Sequence, residues 1–329
     1  MDEQHTNNTL LKVEDLKTYF FTQKGRRVVK AVDGVNFSLA EGEILGLVGE
    51  SGCGKTVTSL SILRLLPPAA RIVGGRITLC GESLLEKDEK EMRKVRGKKV
   101  SMILQDPMVS LNPLFTIGDQ IGEPLKLHRK LSGFQLVDRV RALLAAVKIA
   151  SPETRRKEYP HQMSGGMRQR IVGAISVSCE PKLIIADEAT TNLDLTIQAQ
   201  YLRLLKEIQE KNRLSMIFIT HNFGIVARMC DHVAVMYAGK IMEKAPVKEI
   251  FSSPAHPYTE ALIGSVPGVD YRGERLVTIE GQPPDLAALP DGCSFRPRCS
   301  KANERCREEA PPEFKLAGDH YARCWLCEN

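Results

Sequence analysis

Residues Gly49 to Thr56 read GESGCGKT, directly after the apolar run Glu43 to Val48 and directly before the helix-forming run Val57 to Leu66. A G-x-x-x-x-G-K-[ST] segment works as a loop between a strand and a helix. Its glycines turn successive backbone N–H groups inward, and the helix points its N-terminus at the same anion. That setting commits the chain to an α/β architecture. Further apolar runs at Val100 to Leu104, Lys182 to Ala186, Met216 to Thr220 and His232 to Tyr237 predict buried central strands of a mixed or parallel sheet, with helices between them. Leu11 to Phe20 and Val28 to Leu39 alternate like edge strands, and Gly74 to Leu79 reads as one arm of a hairpin, so a smaller antiparallel β layer is expected beside the core. From about residue 117 to 178 the pattern is mostly helical, with Val140, Leu143, Leu144 and Val147 at helical spacing, which predicts a helical subdomain.

The loop implies phosphate chemistry. Lys55 is expected to reach the β- and γ-phosphates of a nucleotide and the Thr56 hydroxyl to take a position on Mg²⁺, while Gly49, Ser51, Gly52, Cys53 and Gly54 contribute backbone. A second strand, Lys182 to Ala186, ends in Asp187 and Glu188. Asp187 suits holding Mg²⁺ through water, and Glu188 suits activating a water for in-line attack. Without the upstream loop, the two acids would read as the solvated end of a strand.

Other classes are excluded by composition. The formal net charge is +6 and is spread along the chain, which is too mild for a nucleic-acid binder. No apolar run approaches the roughly 20 residues of a membrane span. The polar stretch Met1 to Leu10 has no apolar core of a secretory signal, so a cytoplasmic protein is expected. Five of the nine cysteines (Cys293, Cys299, Cys306, Cys324, Cys327) and ten of the eighteen prolines fall in the C-terminal part, from residue 293 and from residue 246 respectively. Such a tail is loop-rich and needs a staple, and in the cytoplasm clustered thiols more often hold metal than form disulfides. The expected division is a nucleotide domain, 1–260, with its helical subdomain at about 117–178, and an extension, 261–329.

Between the two nucleotide motifs lies Met163-Ser164-Gly165-Gly166-Met167-Arg168-Gln169-Arg170. This octamer resembles the signature sequence of ATP-binding cassette (ABC) ATPases, and further landmarks follow in the family's order over residues from about 10 to 260. The resemblance implies that Ser164, Gly165 and Gly166 face ATP held by an opposite subunit. It implies that Gln105 belongs to the glutamine loop, near Mg²⁺ and coupled to membrane subunits, and that Asp194, in Thr190-Thr191-Asn192-Leu193-Asp194, crosses the dimer interface. His221 matches the switch histidine on the γ-phosphate. Phe20 is the candidate to stack on adenine, with Tyr19 as the alternate. Ala189, Asn222 and Met167 depart from the commonest pattern, where proline, aspartate and glutamine are usual.

Leu104 to Pro113, Tyr159 to Gln162, Thr196 to Gln200 and Ala255 to Thr259 narrow the resemblance to the D-type ATPase subunits of dipeptide and oligopeptide permeases. That group implies a peripheral protein on the cytoplasmic face of the membrane. Its expected partners are a second, F-type ATPase, two transmembrane permeases and an external substrate-binding protein. Nickel complexes, oligosaccharides and glutathione are alternative cargoes. The spacing C-x5-C-x6-C-x17-C of Cys293, Cys299, Cys306 and Cys324 matches members that hold a [4Fe–4S] cluster, with zinc or unligated thiols as alternatives. Cys327 reads as a bystander, Cys80, Cys179 and Cys230 as packing residues. The tail is expected to stay clear of the ATP chemistry. Rival readings are a soluble cassette ATPase acting on nucleic acid or ribosomes, and a redox or iron sensor that uses the ATPase as its switch.

Overall fold

A computed structural model of the chain describes residues 9–191, 193–265 and 278–328. Asn192 and the stretch 266–277, part of the expected extension, lie outside the described residues. The chain opens with β1 (Thr9–Thr22), β2 (Arg27–Ala40) and β3 (Ile44–Val48), and α1 (Lys55–Leu63) follows the phosphate loop. Next come β4 (Ala70–Leu79), β5 (Glu82–Ser83), α2 (Glu89–Val95) and β6 (Val100–Ile103). Five helices then succeed one another: α3 (Pro107–Ser110), α4 (Ile117–Arg129), α5 (Gly133–Ala146), α6 (Pro152–Arg155) and α7 (Gly165–Val177). Alternation resumes with β7 (Leu183–Asp187), α8 (Leu195–Asn212), β8 (Ser215–Thr220), α9 (Phe223–Met229), β9 (His232–Tyr237) and β10 (Lys240–Pro246). After α10 (Val247–Ser252) and α11 (Pro257–Gly264), regular structure shrinks to α12 (Arg305–Glu308), β11 (Phe314–Lys315), β12 (Tyr321–Ala322) and short 3₁₀ turns.

Two compact units result. The first takes in the described residues of 1–39, 44–86 and 218–329, and the second those of 40–43 and 87–217. In the first, β2-β1-β4-β5 form a sheet in which β4 runs antiparallel to both β1 and β5, with Leu11 facing Leu79 and Phe20 facing Ala70. A second sheet runs β11-β12-β10-β9-β3, with β3 parallel to β9 and β10 antiparallel to it. All five residues of β3 are buried, as an unbroken apolar run requires of a strand covered on both faces. The extension joins this sheet directly, because β12 pairs with β10 through Glu243 and Ala322. In the second unit β6 and β7 pair in parallel, Val100 against Leu183. Helices α4, α5 and α7 bury Ile117, Ile121, Leu125, Val140, Leu143, Leu144 and Ile171, each under 5% exposed.

The five expected central strands are present within a residue or two, and so is the antiparallel layer, except that β4 begins at Ala70, four residues before the expected Gly74. The first helix begins at Lys55, two residues before the apolar run suggests, because Gly54 supplies a left-handed N-cap. Among the described residues no helix is long and apolar enough to cross a membrane.

Candidate nucleotide site

In the first unit the loop between β3 and α1 is shaped by two glycines. A Cβ on Gly49 (φ +148°) would stand 2.2 Å from the Met236 carbonyl oxygen, and one on Gly54 (φ +111°) 2.3 Å from that of Ala31. No side chain fits at either place. Gly54 offers α1 no side-chain cap, so the first amides of the helix stay available to an anion. The Lys55 side chain is nearly buried along the loop, and its Nζ donates to the carbonyl oxygens of Gly49 (2.7 Å) and Glu50 (2.9 Å). Ser51, Gly52 and Thr56 are exposed beside it. The Cys53 thiol lies 3.7 Å from Lys55 Nζ, and burial pushes its pKa up against the pull of that ammonium, so it remains a packed thiol.

Tyr19 and Phe20 are adjacent on β1 and therefore point to opposite faces. The Tyr19 hydroxyl donates to Asp33 Oδ1 at 2.6 Å, and burial together with that bond pushes its pKa up to about 12. Tyr19 and Phe20 are both partly exposed. His221 is exposed at the end of β8. Asn222, one of the departures from the usual pattern, N-caps α9 by accepting from the N–H groups of Gly224 (2.9 Å) and Ile225 (3.3 Å), work an aspartate would do equally.

In the second unit Asp187 is buried at the end of β7, and Glu188 follows it with φ +45°. That left-handed conformation costs a non-glycine residue about 1–3 kcal/mol and aims the carboxylate out of the strand direction. Glu188 Oε2 accepts from Gln105 Nε2 at 2.9 Å, so the glutamine expected near Mg²⁺ places its amide on the expected base. Ser164 N-caps α7, its Oγ accepting from the Met167 N–H at 3.3 Å, and Asp194 N-caps α8, its Oδ1 accepting from the Ile197 N–H at 2.9 Å. A Cβ on Gly166 would stand 2.9 Å from Ile197 Cγ2, so this glycine lets the two helix starts approach each other. Gly165 and Gly166 present first-turn amides of α7. Gln169, absent from the expected set, is 1% exposed and donates to the Ala189 carbonyl at 2.6 Å, holding the residue after Glu188. Nothing in the sequence separates this buried glutamine from a solvated one.

The extension contributes a group that the sequence did not reveal. Arg298 reaches the second residue of the phosphate loop, its Nη1 and Nη2 donating to Glu50 Oε2 (2.7 Å) and Oε1 (3.0 Å). This contact joins residues 248 positions apart. Among the described residues, no three His, Cys, Asp or Glu side chains are arranged as a metal-binding group. The thiols are nevertheless neighbours. Burial pushes the pKa of both Cys293 and Cys299 up. The Cys327 thiol donates to the Ala255 carbonyl at 3.6 Å.

Residues 32–191 match the ABC transporter family, and residues 242–306 match the oligopeptide/dipeptide transporter C-terminal region. The chain is 50% identical to the dipeptide transport ATP-binding protein DppD of Bacillus subtilis, over 96% of this chain and 94% of that one. It is 49% identical to the oligopeptide transport ATP-binding protein OppD of the same organism, over 96% and 88%. Among solved structures, cbiO1 from Clostridium perfringens, part of the ABC transporter complex cbiONQ, aligns with a TM-score of 0.64 at 26% identity, covering 75% of this chain and 92% of that one. The ADP- and Pi-bound dimer of the ATP-binding cassette MJ0796 gives the same TM-score at 22% identity, over 72% and 99%, and shares the fold. The chain belongs to the ABC transporter ATPases, in the branch that carries the oligopeptide/dipeptide C-terminal region.

Proposed function

We propose that the chain hydrolyses ATP to energise import of dipeptides or oligopeptides. The observation that carries this is the 50% identity to DppD along 96% of the chain, tail region included. Lys55 and the amides of Gly49 to Gly54 take the phosphates, and Phe20 stacks on adenine. Thr56 and Asp187 offer the hard oxygen donors that Mg²⁺ prefers, and the bound ion would neutralise charge on the transferred phosphoryl group. Glu188, steadied by Gln105, takes the proton of the attacking water, and His221 contacts the γ-phosphate. Ser164, Gly165, Gly166 and Asp194 serve ATP held by a second, F-type ATPase subunit. Two permeases and an external binding protein complete the transporter, with this chain peripheral on the cytoplasmic membrane face.

Vesicles made from cells lacking the chain should lose ATP-driven uptake of a labelled dipeptide. Wild-type chain should restore it and Lys55→Ala should not. Loss of nickel, oligosaccharide or glutathione uptake with peptide uptake intact would reassign the cargo.

For the tail, Cys293, Cys299, Cys306 and Cys324 are assigned to one [4Fe–4S] cluster. Supporting this are the soft donor set and the burial of Cys293 and Cys324. Protein purified without oxygen should carry about four iron atoms per chain and be brown. One zinc in colourless protein would replace the cluster with a zinc site.

A further inference from the structure

The Arg298 side chain is only 4% exposed, although arginine is ordinarily a surface residue. It sits in a 3₁₀ turn, Arg296–Arg298, immediately before Cys299. A guanidinium has five N–H donors, and here each has an acceptor. Nη1 donates to Glu50 Oε2 (2.7 Å) and the Tyr237 hydroxyl (3.4 Å), Nη2 to Glu50 Oε1 (3.0 Å) and the Ile279 carbonyl (3.4 Å), and Nε to the Glu280 carbonyl (3.0 Å). Glu50 is gripped from a second side, since its backbone N–H donates to the Tyr258 hydroxyl at 3.0 Å. Tyr237 and Tyr258 are themselves fixed by edge and tilted contacts with Phe295, at ring separations of 5.2 Å each. The turn that carries Arg298 is anchored in the same aromatic group.

Glu50 is a carboxylate inside a loop whose task is to hold an anion. Left unpaired it would repel the phosphates, and in a partly desolvated place that repulsion is not screened away. The bidentate pairing cancels its charge and also fixes the Glu50 carbonyl that accepts from Lys55 Nζ. We propose that Arg298 is a positioning residue for the phosphate loop. Through Glu50, the cysteine-bearing extension sets the affinity of the loop for nucleotide. This rests on the assignment of the Lys55 loop to ATP, which Lys55→Ala tests separately, because that variant should lose nucleotide whatever Arg298 does.

The test is nucleotide affinity of the full chain, read with a fluorescent ATP analogue, together with backbone hydrogen exchange in residues 49–53. Arg298→Gln should raise Kd roughly tenfold and speed exchange in the loop, because an unpaired carboxylate then faces the phosphates. Adding Glu50→Gln to Arg298→Gln should bring Kd back to within about threefold of wild type, a rescue that loss of packing alone would not show. Wild-type affinity in Arg298→Gln, or a double variant as weak as the single one, overturns the proposal. Should Arg298→Gln release the extension, which protease sensitivity would reveal, Glu50→Gln alone decides: it leaves the turn in place and should still speed exchange in residues 49–53. Unchanged exchange there would equally overturn the proposal.

Discussion

Within the first unit the phosphate loop and the extension are built in opposite ways. The loop is fixed by main chain: glycines at 49 and 54 let it pass within touching distance of the Met236 and Ala31 carbonyls, and Lys55 folds back on its own backbone. The extension has little regular structure and, besides a few main-chain ties such as β12 to β10, is fixed by side chains reaching far along the sequence. Phe295 inserts among Tyr237, His256 and Tyr258, Arg298 grips Glu50, and His320 Nε2 lies 2.7 Å from the buried carboxylate of Glu243. A main-chain device must be written in consecutive residues, because each position needs a particular backbone conformation. A side-chain device needs only one suitable residue at each end. The first kind is conspicuous in a sequence and the second is silent.

The largest expected effects test the chemistry of the main-chain device and its carboxylate partner. Lys55→Ala should abolish detectable nucleotide binding while the extension keeps its resistance to protease, since no tie of the tail runs through that ammonium. Glu188→Gln should keep binding but lower ATP hydrolysis in the assembled transporter by roughly 10² to 10⁴-fold, the usual worth of a general base. Wild-type turnover in that variant would move the base elsewhere.

Next in size is the aromatic anchor. Phe295 is 2% exposed, and Phe295→Ala should cost about 3–5 kcal/mol through lost burial and the cavity left behind. Because Tyr258 and Tyr237 lose their common neighbour, nucleotide affinity should weaken along with protease resistance. A tail that frays with ATP affinity intact would break the link between the two regions.

What was legible follows the same division. The strands, the phosphate loop, the acids after β7 and the glycines of α7 could all be placed from consecutive residues. Gln169, Arg298 and the Glu243–His320 contact could not, because each is a polar residue whose burial is decided by a chain segment 20 to 248 positions away. Gln105 was legible as part of a motif, yet its hydrogen bond to Glu188 was not. The tail's cysteines were conspicuous by number, while the bond of the Cys327 thiol to the Ala255 carbonyl needed coordinates.

A pH effect comes third. His256 is buried, its Nδ1 accepts from the Tyr258 N–H at 3.0 Å, and its backbone N–H donates to Glu243. Burial lowers its pKa to about 4 from an ordinary 6.5. As pH falls below 6.5 the unfolded chain takes up this proton first, so stability present at neutral pH is lost progressively down to about pH 4. The full shift corresponds to roughly 3 kcal/mol. Denaturant titrations at several pH values should show this slope. His256→Asn keeps an oxygen to cap Tyr258 and cannot titrate, so it should flatten the slope. An unaltered slope would place the acid sensitivity elsewhere.

The smallest effect is the sharpest control. Arg27 Nη2 pairs with Asp285 Oδ2 at 2.5 Å, and this too links the extension to an early strand, but the two side chains are 47% and 53% exposed, against 4% and 27% for Arg298 and Glu50. An exposed pair gains little, because water solvates both ions nearly as well apart and salt screens what remains. The backbone supplies its own tie at that place, since the Lys30 N–H donates to the Leu286 carbonyl at 3.1 Å. Arg27→Gln should therefore leave protease resistance unchanged and nucleotide Kd within about twofold of wild type, at low and at high salt alike. Number and span of ion pairs would then not be what couples the tail to the loop, and burial would. If Arg27→Gln weakened nucleotide binding as much as Arg298→Gln, any tether would serve as well as another, and the distinction between a buried grip and a surface contact would fail.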